Sequence, residues 1–99
     1  VHELLVAVNV THEAGYQQYR DSMAPILTDY GGDFGYDFRV NEVLRAETDA
    51  PINRVFTIHF PNRVLADAFF TNADYLKIRD TYFEPSVSDL TIIARYDRT

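Results

Sequence analysis

Apolar and polar residues alternate from Glu3 to Val10 (ELLVAVNV), which predicts a strand. Leu4, Val6, Val8 and Val10 share one face of it, and Leu5, Ala7 and Asn9 share the other. The period then changes. From Tyr16 to Gly32, residues Tyr16, Tyr19, Met23, Ile26, Leu27 and Tyr30 fall on one helical arc of about 100°. Gln17, Gln18, Asp21, Thr28 and Asp29 take the opposite side, together with Pro25, whose missing hydrogen bond water can replace there. Thr11 is the expected cap, Glu13 lies in the first turn, and Gly31-Gly32 supplies the left-handed stop.

After Gly32 the period returns to two. Phe34, Tyr36, Phe38 and Val40 alternate with Gly35, Asp37, Arg39 and Asn41 in a second strand. Ala46 to Ile52 is polar, carries Pro51 and reads as a turn. Asn53 to Phe60 predicts a third strand, with Phe56, Ile58 and Phe60 on one face and Val55, Thr57 and His59 on the other. Asn62 can cap a short helix from Arg63 to Thr71, with Val64, Leu65, Ala68 and Phe69 on its apolar side. Asn72 or Asp74 restarts a helix that ends before Pro85, and Leu90 to Tyr96 makes a fourth strand.

The order β-α-β-β-α-β predicts an α+β, ferredoxin-like fold: a four-stranded antiparallel sheet with its helices on one face. The 99 residues make a single domain over 1–99, long enough to bury a core without staples. The expected helix-facing side is Leu4, Val6 and Val8, then Phe34, Tyr36 and Phe38, then Phe56, Ile58 and Phe60, then Leu90, Ile92 and Ala94. The expected open face holds Leu5, Ala7, Asn9, Asp37, Arg39, Val43, Val55, Thr57, His59, Thr91, Ile93 and Arg95. It is half apolar, which predicts a protein-protein surface and a homodimer.

Charge and composition narrow the function. Fifteen acidic residues against nine basic give a net charge of -6, with no basic cluster, which argues against nucleic acid as a partner. An RNA-recognition motif shares this element order but needs aromatics on the open face of its third strand, where Val55, Thr57 and His59 stand. No apolar run is long enough to span a membrane. There is no cysteine, which removes disulfides, thiolate catalysis and thiolate-bound metal. The histidines show no ligand spacing, so no metal and no cofactor is expected. No signal-peptide pattern is visible, and the cytoplasm is the expected location.

Arg79 is the main chemical candidate. It falls on the same arc as Tyr75, Ile78, Tyr82 and Phe83. A guanidinium there is an anion clamp, a structural pair with Asp37, Glu42 or another carboxylate, or a rim residue whose stem carries its charge out to water. Arg20 reads as a rim residue of the first helix. With Arg79, the tyrosines Tyr30, Tyr75, Tyr82 and Tyr16 can line a pocket and bind a ligand, or serve as plain core. His59 and Asp37 are the candidate catalytic bases.

Tyr16-x-x-Tyr19-Arg20, Pro25, Tyr30-Gly31-Gly32, Phe60-Pro61, Ala68 and Tyr75-x-x-Ile78-x-x-x-Tyr82 together resemble the domain-of-unknown-function 1330 family, over Val6 to Ala94. The resemblance implies a dimeric α+β barrel, in which two such sheets pack face to face. It implies no assigned activity. Leu44-Arg45-Ala46-Glu47 stands where the family often has a Glu-Gly pair, and Asn72-Ala73-Asp74 where it often has Ser-Pro-Glu. Three functions follow as expectations: a binder of a small aromatic or carbonyl metabolite, a cofactor-independent monooxygenase or isomerase, and a non-catalytic assembly or sensing module.

Overall fold

The strand His2–Val10 (β1) sits at the centre of the molecule and pairs on both edges. The computed structural model describes residues 1–99, with α1 at Glu13–Asp29, β2 at Asp33–Arg39, β3 at Arg54–Phe60, α2 at Arg63–Phe70, α3 at Ala73–Ile78 and β4 at Val87–Asp97. The sheet order is β2-β3-β1-β4, and every pair is antiparallel. This is the ferredoxin-like α+β arrangement that the sequence predicts, with the second helix broken into α2 and α3.

The stripe of α1 covers the sheet as its spacing requires. Tyr16, Tyr19, Met23 and Leu27 are buried against Leu4, Val6 and Val8 of β1 and Phe56, Ile58 and Phe60 of β3. Each fully buried aromatic or aliphatic side chain contributes about 1.5 to 3 kcal/mol. Pro25 is exposed on the outer side. His12, not Thr11, caps the helix. The Thr11 N–H is taken by the Ser86 carbonyl at 2.8 Å, which leaves His12 the last extended residue, and its Nδ1 accepts from the Gly15 N–H at 2.9 Å. Gly31 has φ +73° and ends the helix as predicted. In α2, Ala66 and Phe69 are buried while Val64 points to solvent, a rotation of the expected stripe.

Two bulges change which residues face the helices. In β2 the register shifts between Phe34 and Asp37, so that Gly35 and Tyr36 together oppose Thr57. Phe34 keeps its place under the helices. Beyond the bulge the alternation is reversed: Asp37 turns toward α1, and Tyr36 and Phe38 turn to the open face, where they are 66% and 55% exposed. In β4 the register shifts opposite Leu5, and beyond it Arg95 faces α2 while Ala94 faces outward. The expected faces of Tyr36, Phe38, Asp37, Ala94 and Arg95 are therefore all reversed, because one extra residue in a strand moves everything after it to the other side.

Candidate ligand cavity

Between sheet and helices lies a cavity of about 400 Å³. Leu4, Val6, Phe56, Ile58, Leu90 and Ile92 form its floor, and Tyr19, Met23, Phe70, Tyr75 and Phe83 form its roof. Leu90 and Ile92 belong to the edge strand β4 and are about half exposed, so the cavity opens to solvent along that edge. Its polar side chains are few: the two tyrosine hydroxyls in the roof, and Asp67, Thr71, Arg79 and Arg95. An apolar chamber with a small number of placed polar groups is the form taken by small-molecule sites.

The roof is held by a buried hydroxyl pair. Tyr19 and Tyr75 meet oxygen to oxygen at 2.8 Å. Burial pushes both phenols above their usual range, Tyr19 well above it, so both remain protonated. Tyr75 is fixed by aromatic neighbours, with the Phe69 ring centre 4.4 Å away. Its helix is started by Asn72, whose side chain accepts from the Tyr75 N–H at 2.9 Å. The π-helical turn Arg79–Phe83 then carries Arg79 and Phe83 to the same chamber.

Of the ligand-binding residues expected from the sequence, the structure brings Arg79 and Tyr75 to this cavity and leaves Tyr16, Tyr30 and Tyr82 out of its lining. The Tyr16 hydroxyl accepts from Arg20 Nε at 2.9 Å, and the Tyr30 hydroxyl from Asn72 Nδ2 at 3.0 Å, so both serve the core. Arg79 is half-buried, with Nε 3.3 Å from Glu84, so its pairing carboxylate is neither of the two named, Asp37 and Glu42, but another. Arg20 is deeply buried, with its side chain 11% exposed, rather than the rim residue its place on the helix suggests, and Arg54 is buried to the same degree.

The two candidate bases do not line the cavity. His59 stands on the open face of β3, beside Glu3 of β1 and Asp33 of β2 in the ladder. Asp37 is bound by Arg54 through two hydrogen bonds, at 3.0 and 2.8 Å, which hold its carboxyl below the usual range. A carboxylate so paired is a poor proton acceptor.

Sequence reading misses Arg95, Asp67, Met23, Phe70 and the hydroxyl of Tyr19 as cavity residues. Arg95 reaches the cavity only through the β4 bulge, and the run Ile92-Ile93-Ala94, apolar on both faces of a strand, is its one visible signal. His2 is also placed unexpectedly: it is buried, with Nδ1 2.7 Å from Asp97 and Nε2 2.7 Å from Arg95 Nε. No group of three histidine or carboxylate side chains converges as a metal would require, and no helix is long and apolar enough to cross a membrane.

The chain belongs to the DUF1330 family, a domain of unknown function, which it matches over residues 4–96. No functionally curated protein matches it. Among solved structures it is similar to RPA0582, a protein of unknown function from Rhodopseudomonas palustris, with TM-score 0.82 and 16% identity over 99% of this chain and 82% of that one. It is similar to a "Putative antibiotic biosynthesis monooxygenase" from Nitrosomonas europaea, with TM-score 0.67 and 19% identity over 99% and 98% of the two chains. A dimeric ferredoxin-like protein of unknown function from a Jannaschia species gives TM-score 0.56 and 13% identity over 98% of both chains. These likenesses establish the fold.

Proposed function

We propose that this chain is a homodimeric protein that binds a small aromatic or carbonyl compound in the cavity between sheet and helices. The observation that carries this reading is the cavity itself: about 400 Å³, walled by aromatic and aliphatic side chains, with its few charged groups contributed by Asp67, Arg79 and Arg95. Arg79 and Tyr75 are the ligand contacts expected from the sequence that line it. Turnover is the weaker reading. The Nitrosomonas structure carries the name of a monooxygenase, but His59 and Asp37 lie outside the cavity lining here. Binding without chemistry needs neither.

The dimer reading rests on the open face of the sheet. Tyr36, Phe38 and Ile93 are each more than half exposed there, and Leu5, Val55 and Ala94 lie on the same face. A sheet face that exposes this much aromatic and aliphatic surface calls for a partner, and a second copy supplies an identical one. The dimeric Jannaschia relative is consistent with that arrangement.

The cavity is tested with 2-naphthamide, a flat, neutral, fluorescent probe. We expect saturable binding at one site per chain, lost in Ile92→Trp, which fills the mouth from the exposed edge strand. Absence of saturable binding, or binding unchanged in Ile92→Trp, overturns the reading.

A further inference from the structure

The two ends of the chain meet beside the cavity and build a relay of four side chains. His2 opens β1 opposite Asp97 of β4, and Leu4, on the same face, lies opposite Arg95. The His2 residue is 3% exposed. Its Nε2 lies 2.7 Å from Arg95 Nε and its Nδ1 2.7 Å from an Asp97 oxygen. An arginine Nε can only donate, so Nε2 of His2 accepts and the ring proton sits on Nδ1, donated to Asp97. The two contacts hold the His2 ring in one orientation. On its other side Arg95 donates from Nη2 to Asp67 of α2. Nη1 of Arg95 makes no hydrogen bond, and Arg95 lines the cavity.

An exposed arginine ordinarily sweeps a wide volume, and fixing it on an anion costs rotamer freedom. Arg95 is already fixed, by a strand neighbour on one nitrogen and a helix carboxylate on another. Its remaining N–H groups therefore point in a set direction before any ligand arrives, which is the condition for strong charge-assisted binding. Arg79 lacks that support. It has one ion pair, to an exposed glutamate, and its side chain is 41% exposed against 31% for Arg95. The hydrogen bonds of the His2 and Asp97 side chains all belong to this relay, which orients a cation at a chamber that is otherwise apolar.

We propose that Arg95, oriented by His2 and Asp67, reads the acidic group of the cavity's ligand, and that this ligand is a ring-bearing carboxylate. The proposal rests on the cavity reading and sharpens it. His2 is a positioning residue, acting only through Arg95.

The test compares 2-naphthoate with the neutral 2-naphthamide on the full chain. Wild type is expected to prefer the carboxylate by about tenfold or more near neutral pH, the size of one charge-assisted contact. Arg95→Met should abolish the preference, and Arg79→Met should reduce it less. His2→Leu should lower the preference. His2→Gln, which retains an acceptor for Arg95 and a donor for Asp97, should restore it. Should His2→Leu fail to fold, His2→Ala takes its place in the comparison with His2→Gln. Equal binding of the two probes, or a preference that survives Arg95→Met, overturns the proposal and leaves the cavity standing. Binding of neither probe overturns both.

Discussion

The guanidinium carbon of Arg20 lies 3.8 Å from the centre of the Phe34 ring. Phe56 is 4.7 Å and Tyr16 5.1 Å from the same atom, so three aromatic rings surround one cation. The charge is answered unevenly. Nε donates to the Tyr16 hydroxyl, Nη1 reaches Asp37 at 3.4 Å, and Nη2 is buried with no partner. The attraction of the rings for the cation and the packing of its stem offset that unmet donor. Arg20→Met keeps the stem and removes the unmet donor but leaves the buried Tyr16 hydroxyl without its partner, so it should cost about 1 to 2 kcal/mol. Arg20→Ala empties the site and should cost about 2 to 4 kcal/mol. Urea unfolding of the two variants measures both.

Asp37 should shape the acid limb of stability. Its carboxyl is held below the ordinary value, first by the hydrogen bonds from Arg54 and then by the charge of Arg20. A depressed carboxylate adds stability above the unfolded value near 3.8, and that stability is lost as pH falls through the lower folded value. The group is partly open to water, and after discounting for screening its contribution is about 1 kcal/mol. Asp37→Asn should lose that amount at neutral pH and show a shallower decline below about pH 4. Thermal melts across the acid range follow the slope; an unchanged slope would mean the pair is fully screened.

The Tyr19–Tyr75 hydroxyl pair should behave as a unit. Tyr75→Phe keeps the ring against Phe69 but leaves the Tyr19 hydroxyl buried without its partner. That should cost about 1 to 2 kcal/mol. Tyr19→Phe should cost a similar amount. The double substitution removes donor and acceptor together and should cost less than the two singles added. Chemical unfolding of all four chains closes the cycle.

The element order is legible because each element carries its own period: two in the strands, about 3.6 in α1, with asparagine caps and Gly31 at the boundaries. The faces of the outer strands are not. Alternation fixes which residues share a side only while the pleat is unbroken, and Phe34-Gly35-Tyr36 reads identically with or without an extra residue. Gly35 is the available hint, since a glycine inside a strand often marks a bulge. The arginines are misplaced for a related reason. Arg20 lies one turn beyond Tyr16 on α1, at the margin of the stripe, and only the reversal of Asp37 toward the helices places a carboxylate there to receive it. His2, Arg95 and Asp97 are joined across nearly the whole length of the chain, so no local window connects them.

The open face yields the most direct prediction about assembly. Tyr36 and Phe38 stack with ring centres 5.8 Å apart and planes 24° from parallel, while most of both side chains faces water. Neither contributes to the buried core under the helices. A charge placed on this face should therefore leave the chain folded and act on association alone. Phe38→Glu in two facing copies would set a pair of carboxylates into an apolar interface, where desolvation and mutual repulsion add. The dissociation constant should rise by about 100-fold or more, a loss typical of an aromatic anchor at an interface centre. Light scattering at micromolar concentration should find wild type as a dimer and Phe38→Glu as a monomer, with circular dichroism and melting of the variant showing a folded chain. A wild-type monomer at that concentration removes the dimer. A variant that remains dimeric moves the interface off this face of the sheet.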